Sequence, residues 1–145
     1  MQSQKTHPQL FSFEFYPPKT EEGDVNLAIV HSKLAKLNPD FFSVTFVAGG
    51  STRDKTFDTV IDIQAKGIAA APHLSCVAST KDNIRAILKS YQNNGIAKIV
   101  ALRGDIPSGM MSAGEFRYAN ELVEFIRQET DDYFQIHVAA YPEVH

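Results

Sequence analysis

The sequence of 145 residues predicts a parallel α/β fold of the (β/α)8 barrel type, of which it holds about five strands. Three observations carry this. Five short apolar runs recur along the chain, and strands apolar from end to end belong in parallel sheets covered on both faces. Amphipathic helical patterns separate them, giving the order β-α-β-α-β-α-β-α-β, which implies right-handed parallel crossovers. Each run also carries a polar or ionisable residue near its C-terminal end, where (β/α) barrels build their active sites.

The runs are Phe11–Phe15, Phe41–Phe46, Ala70–Ser75, Ile99–Asp105 and Ile136–Tyr141. Leu27, Val30, Leu34 and Leu37 form the stripe of a first helix, and Phe57, Val60, Ile61 and Ala65 that of a second. A third helix opens at Ser79 or Thr80, carries Ile84, Ile87, Leu88 and Tyr91 inward, and stops at Asn93-Asn94-Gly95. A fourth runs from about Glu115 to Gln128 with Ala119, Leu122, Val123 and Ile126 on one side. Residues 106–114 read as a loop rich in breakers. Residues 1–9 read as an N-terminal arm and 10–145 as a partial barrel that forms the catalytic domain. An open Rossmann sheet would need a Gly-rich turn after its first strand, and here that turn is Tyr16-Pro17-Pro18-Lys19. A complete barrel takes about 200 residues or more, so three strands are expected to be missing.

Hydrophobic residues make up 43% and charged residues 21%, ordinary for a globular protein. A net charge of −3 without a basic run argues against nucleic acid and anionic membrane surfaces. No stretch has the apolar length of a membrane span. The single Cys76 forms no internal disulfide and no signal peptide opens the chain, so a cytoplasmic location is expected.

Strand parity places Ser12 and Glu14 on the face away from the helices, with Ser43 and Thr45 beside them. On the same reasoning Ala71, His73 and Ser75 share one face of the third strand, and Ala101, Arg103 and Asp105 one face of the fourth. The inward rim is then Glu14, Thr45, His73, Arg103 and Asp105. A carboxyl between Phe13 and Phe15 is expected to lose hydration and hold its proton firmly, which suits a general acid. Pairing with Arg103 is its alternative role. Asp105 is placed to accept hydrogen bonds from a heterocycle, Arg103 to hold a phosphate or carboxylate, and Gly104 lets a ligand approach the backbone. A rim ion pair is the alternative for Arg103 and Asp105. His73 has no second His or Cys at metal-ligand spacing, so no metal site is expected. His137, near the start of its strand, is expected to be structural, and Cys76 a small core residue.

Several motifs together resemble the N-terminal part of bacterial methylenetetrahydrofolate reductases, which are flavin-dependent barrels. They are Phe13-Glu14-Phe15-Tyr16-Pro17-Pro18-Lys19, Phe42-Ser43-Val44-Thr45-Phe46, Ala71-Pro72-His73-Leu74-Ser75-Cys76, the run from Asn93 to Asp105, and Ala139 to His145. The resemblance implies that FAD-dependent chemistry reduces 5,10-methylenetetrahydrofolate to 5-methyltetrahydrofolate, with NAD(P)H as electron donor. It implies Glu14 as the general acid that opens the imidazolidine ring, and Asp105 beside flavin and pterin. It puts Thr45, Phe46, Ala48, His73, Arg103, Gly104, Asp105, Tyr118, Ala119, Tyr141 and His145 at FAD-contacting positions. Phe46 stands where the family commonly has Tyr, which removes a hydroxyl contact. A homo-oligomer is expected at full length, and the 145 residues alone are expected to be inactive. The rival readings are an inert partial barrel and a flavin-independent lyase or aldolase.

Overall fold

Strand and helix alternate throughout the computed structural model, which describes residues 9–46, 50–105 and 114–140. The elements are β1 (Ser12–Phe15), α1 (Glu21–Leu34), a 3-10 turn (Ala35–Leu37), β2 (Phe41–Val44), α2 (Gly50–Ala65), β3 (Ala70–Ser75), α3 (Lys81–Asn93), β4 (Lys98–Leu102), α4 (Ala119–Thr130) and β5 (Gln135–Val138). This is the expected order, and β1–β2, β3–β4 and β4–β5 all pair parallel. Three strands end before their apolar runs do: β2 stops at Val44, β4 at Leu102 and β5 at Val138. The chain divides into two compact units, Met1–Ala70 and Ala71–His145.

In the first unit, Phe13 and Phe15 of β1 turn toward Phe42 of β2, with ring centroids 6.0 and 5.0 Å apart. Thr20 caps α1, its hydroxyl accepting from the Gly23 N–H at 3.1 Å. Glu21, Glu22 and Asp24 sit at the positive end of the helix dipole. The residue α1 buries is His31, whose ring lies 4.5 Å from Phe15 and 5.2 Å from Phe42. Its inner stripe is Leu27-His31-Leu34 and not the expected Leu27-Val30-Leu34-Leu37, for Val30 is 41% and Leu37 57% exposed. The 3-10 turn after Leu34 swings Leu37 off the helix face, and His31 takes the place expected of an aliphatic residue.

On α2 the buried residues are Thr56, Thr59, Val60 and Ile63, whereas Ala65 is exposed and Phe57 and Ile61 are half-buried. The threonines can be buried because backbone carbonyls satisfy their hydroxyls. Thr56 donates to Thr45 at 3.1 Å and Thr59 to Lys55 at 2.7 Å.

Every residue of β3 is buried. Thr80 caps α3 by accepting from the Asn83 N–H at 3.2 Å; Ile84, Leu88 and Tyr91 face the core, and Gly95 (φ 69°) ends the segment. Helix α4 starts at Ala119 and not near Glu115. Glu115 instead turns its carboxylate to the Lys81 N–H at 2.8 Å, while Gly114 bridges to Ser79. Arg85 joins α3 to α4, its guanidinium donating to both oxygens of Glu129 at 2.7 Å and lying 5.5 Å over the Phe125 ring.

Burial, then the Lys66 charge, lowers the pKa of His31 from 6.5 to about 4, and its Nε2 has no hydrogen-bond partner among the described residues. The unfolded chain therefore takes up this proton first as the pH falls. The neutral ring's contribution is fully present above pH 6.5, is lost progressively between 6.5 and about 4, and changes no further below that. In urea unfolding, wild type should lose about 2 kcal/mol more than His31→Leu between pH 8 and pH 5. Equal losses would show that His31 does not titrate on unfolding.

Candidate active site

Glu14 stands near the C-terminal end of β1, beside Ser43 of β2 in the parallel register. Alternation turns it away from Phe13 and Phe15, and its side chain is exposed. The expected desolvation by its two neighbours therefore does not occur: adjacent residues in a strand face opposite sides, so the phenylalanines shield the helix side only. Thr45 follows β2. Its N–H and its hydroxyl both donate to the Phe15 carbonyl, at 2.9 and 3.2 Å, which ties the ends of β1 and β2 together. Phe46 is half-buried beyond it. Ala48, Tyr141 and His145 lie outside the described residues.

In the second unit His73 is buried in β3, with Val100 its register partner on β4. Register partners share a face, so His73 and Ser75 lie with Val100 and Leu102, and Ala101 lies with Leu74. This corrects the expected sharing of the inner face by Ala101, Arg103 and Asp105. Ala101 is buried while Val100 and Leu102 are half-exposed, and parity stops governing side chains where β4 ends.

Beyond Leu102 the direction of the chain is set by hydrogen bonds. The Arg103 carbonyl accepts from the Val77 N–H and the Ser75 hydroxyl, each at 2.9 Å, and the Cys76 thiol lies 3.7 Å away. Gly104 then takes φ 82°, a left-handed conformation that suits glycine. A Cβ there would collide with the Ser75 hydroxyl and stand 2.9 Å from Val77 Cγ1. Arg103 Nε reaches the Gly104 carbonyl at 3.2 Å, and both Arg103 and Asp105 are exposed. Burial pushes the Cys76 thiol pKa up, which leaves it a poor nucleophile and fits its core role.

A cavity of about 420 Å³ opens on this turn, lined by Ala101, Leu102, Arg103, Gly104, Asp105, Ala119, Val138 and Ala139. It brings together four of the residues singled out in the sequence: Arg103, Gly104, Asp105 and Ala119. Tyr118 is the N-cap residue of α4, exposed beside it in sequence. The small apolar walls, the accessible backbone at Gly104 and one charge of each sign suit a flat heterocycle with polar edges. Leu102, Val138 and Ala139 fell within the expected strand runs but were not singled out as site residues, because apolar wall residues look like any other strand residue. Among the described residues no group of three His, Cys, Asp or Glu side chains could hold a metal ion, and no helix is long and apolar enough to cross a membrane.

The family described as methylenetetrahydrofolate reductase matches residues 1–145. The chain belongs to that family. It is 46% identical over 135 residues to the 5,10-methylenetetrahydrofolate reductases of Salmonella typhimurium and Escherichia coli K12, covering 92% of this chain and 44% of each relative. An Arabidopsis thaliana methylenetetrahydrofolate reductase (NADH) is 41% identical over 140 residues, 93% of this chain and 24% of the plant protein. The chain thus spans less than half the length of these curated relatives. Its parallel strands and intervening helices agree with part of a (β/α)8 barrel.

Replacing Gly104 tests the turn. Gly104→Ala combines left-handed backbone strain with the collision against Ser75, and should destabilise the chain by about 2–3 kcal/mol in urea unfolding. At a relaxed site the same change would be neutral or stabilising, and that result would contradict the geometry described.

Proposed function

We propose that this chain supplies the N-terminal part of a flavin-dependent reductase that converts 5,10-methylenetetrahydrofolate to 5-methyltetrahydrofolate, with NAD(P)H as electron donor. The observation that carries the reading is the family match, which runs over residues 1–145 and so takes in the strand ends bearing Glu14 and Arg103-Gly104-Asp105. The cavity at the end of β4 fits such a cofactor: it offers apolar walls for a ring system, an Arg for an anionic group and an Asp for a ring N–H.

FAD, when bound, would supply the hydride-transfer chemistry between NAD(P)H and the one-carbon unit of the folate. The protein's own residues bind, orient and move a proton. Glu14 donates that proton to the folate nitrogen that leaves the one-carbon unit as the five-membered ring opens. The pairing of β1 with β2 keeps its backbone still, and bound substrate excludes the water that otherwise reaches the carboxyl. Asp105 would stand beside the flavin and the pterin and accept from the heterocycle. Arg103, Gly104, Ala119, Tyr118, His73, Thr45 and Phe46 would hold FAD, together with Ala48, Tyr141 and His145. Thr45 already donates to Phe15, so its hydroxyl serves the cofactor as an acceptor. A cytoplasmic homo-oligomer completes the reading.

The test is a chimera in which residues 1–145 replace the segment they match in the Escherichia coli relative. Glu14→Gln in this chimera should retain oxidation of NAD(P)H by a dye acceptor within a few-fold. It should lose about 100-fold or more in folate reduction, since only that half-reaction needs the proton. Equal loss in both half-reactions would remove Glu14 from the role of general acid.

A further inference from the structure

We infer that Ser75 is a positioning residue for the candidate site: from the end of β3 its hydroxyl holds the Arg103 carbonyl and so fixes the direction in which Asp105 leaves β4. Ser75 is 7% exposed, and its Oγ donates to the Arg103 carbonyl at 2.9 Å. The Val77 N–H donates to the same oxygen at 2.9 Å, and the Cys76 thiol, a weaker donor, approaches it at 3.7 Å, so the two short bonds engage both lone pairs. One residue earlier, the Cys76 N–H donates to the Leu102 carbonyl at 3.2 Å. These bonds carry the β3–β4 connection two residues past the end of β3 and one past the end of β4.

The Arg103 carbonyl and the Gly104 nitrogen belong to one rigid peptide plane. Two close donors, Ser75 at the end of β3 and Val77 two residues beyond it, restrain that plane against tilting more than either could alone. The φ of Gly104 and the departure of Asp105 are both measured from this plane. Gly104 and Ser75 are also complementary in shape, because the serine hydroxyl occupies the room that a Cβ on residue 104 would need. The hydroxyl thus does two things: it completes the carbonyl's hydrogen bonding and fills the space beside the glycine. Its importance for catalysis rests on the proposed reductase reading, whereas the positioning itself does not.

The experiment is backbone NMR of the full 145-residue chain, ¹⁵N-labelled, as wild type, Ser75→Ala, Ser75→Thr and Ser75→Cys. Ser75→Ala should move the Gly104 and Asp105 amide resonances well beyond a line width and leave those of α3 and α4 in place. It should also speed hydrogen exchange of the Val77 amide about tenfold, since the carbonyl it meets is less firmly held. Ser75→Thr, which keeps the hydroxyl, should return these signals toward wild type. Ser75→Cys keeps nearly the same volume with a far weaker donor, and should move the same resonances in the same direction as Ser75→Ala; it decides the matter if the alanine variant does not fold. Unmoved resonances at residues 103–105, or equal displacement by alanine and threonine, would overturn the inference. The readout involves neither flavin nor folate, so a failure of the reductase reading would appear elsewhere, in the chimera's half-reactions.

Discussion

Phe15, Phe42 and His31 meet where β1, β2 and α1 pack, and that contact decides which side of the first two strands is left open. With the aromatic residues of β1 drawn to the helix side, alternation sends Ser12 and Glu14 the other way. The parallel register then sets Glu14 beside Ser43. Moving the pairing by one residue would bring Phe13 or Phe15 to the open face and carry Glu14 into the aromatic cluster, where an ionised carboxylate has no adequate replacement for water. The same packing holds His31 neutral. An imidazole enclosed by phenylalanines gains contact area while its charged form is disfavoured, so the helix–strand contact depends on pH although it carries no catalytic group.

The second unit solves a different problem. Its candidate site residues Arg103, Gly104 and Asp105 lie past the end of β4, where sheet pairing no longer dictates direction. Hydrogen bonds from Ser75 and the 76–77 backbone continue the order of the sheet into the turn, and Gly104 supplies the conformation that this continuation requires. Further along, Gly114 and Glu115 are fastened to Ser79 and Lys81, so the β3–α3 connection also anchors the segment that leads into α4. One stretch of chain, residues 75–81, thus orders both the departure from β4 and the approach to Ala119. That economy accounts for a cavity with so few polar side chains: the backbone supplies much of its shape.

The architecture could be read in the sequence because it rests on composition repeated over long segments. Apolar runs alternated with helical stripes, and Thr80 and Gly95 marked the ends of α3 as capping chemistry requires. The helix faces were less legible. His31 was passed over in favour of Val30, since a buried histidine cannot be told from an exposed one by hydropathy. The α2 stripe was misplaced because Thr56 and Thr59 are buried through backbone hydrogen bonds that no periodicity reveals. The inner face of β4 was displaced by one residue because the reading extended strand parity to Asp105, past the point where the strand ends. At the site, the charged residues and Gly104 were visible as departures from an apolar pattern. Ser75 was noticed only as a face neighbour of His73, because its role depends on a carbonyl 28 positions further along the chain.

The central claim is that these 145 residues provide flavin-holding surface in a reductase, and flavin content measures it most directly. The chimera carrying residues 1–145 should purify yellow, with one FAD per polypeptide by absorbance after denaturation, and should bleach when NAD(P)H is added without oxygen. A folded, cooperatively unfolding chimera that remains colourless in excess FAD would contradict the account.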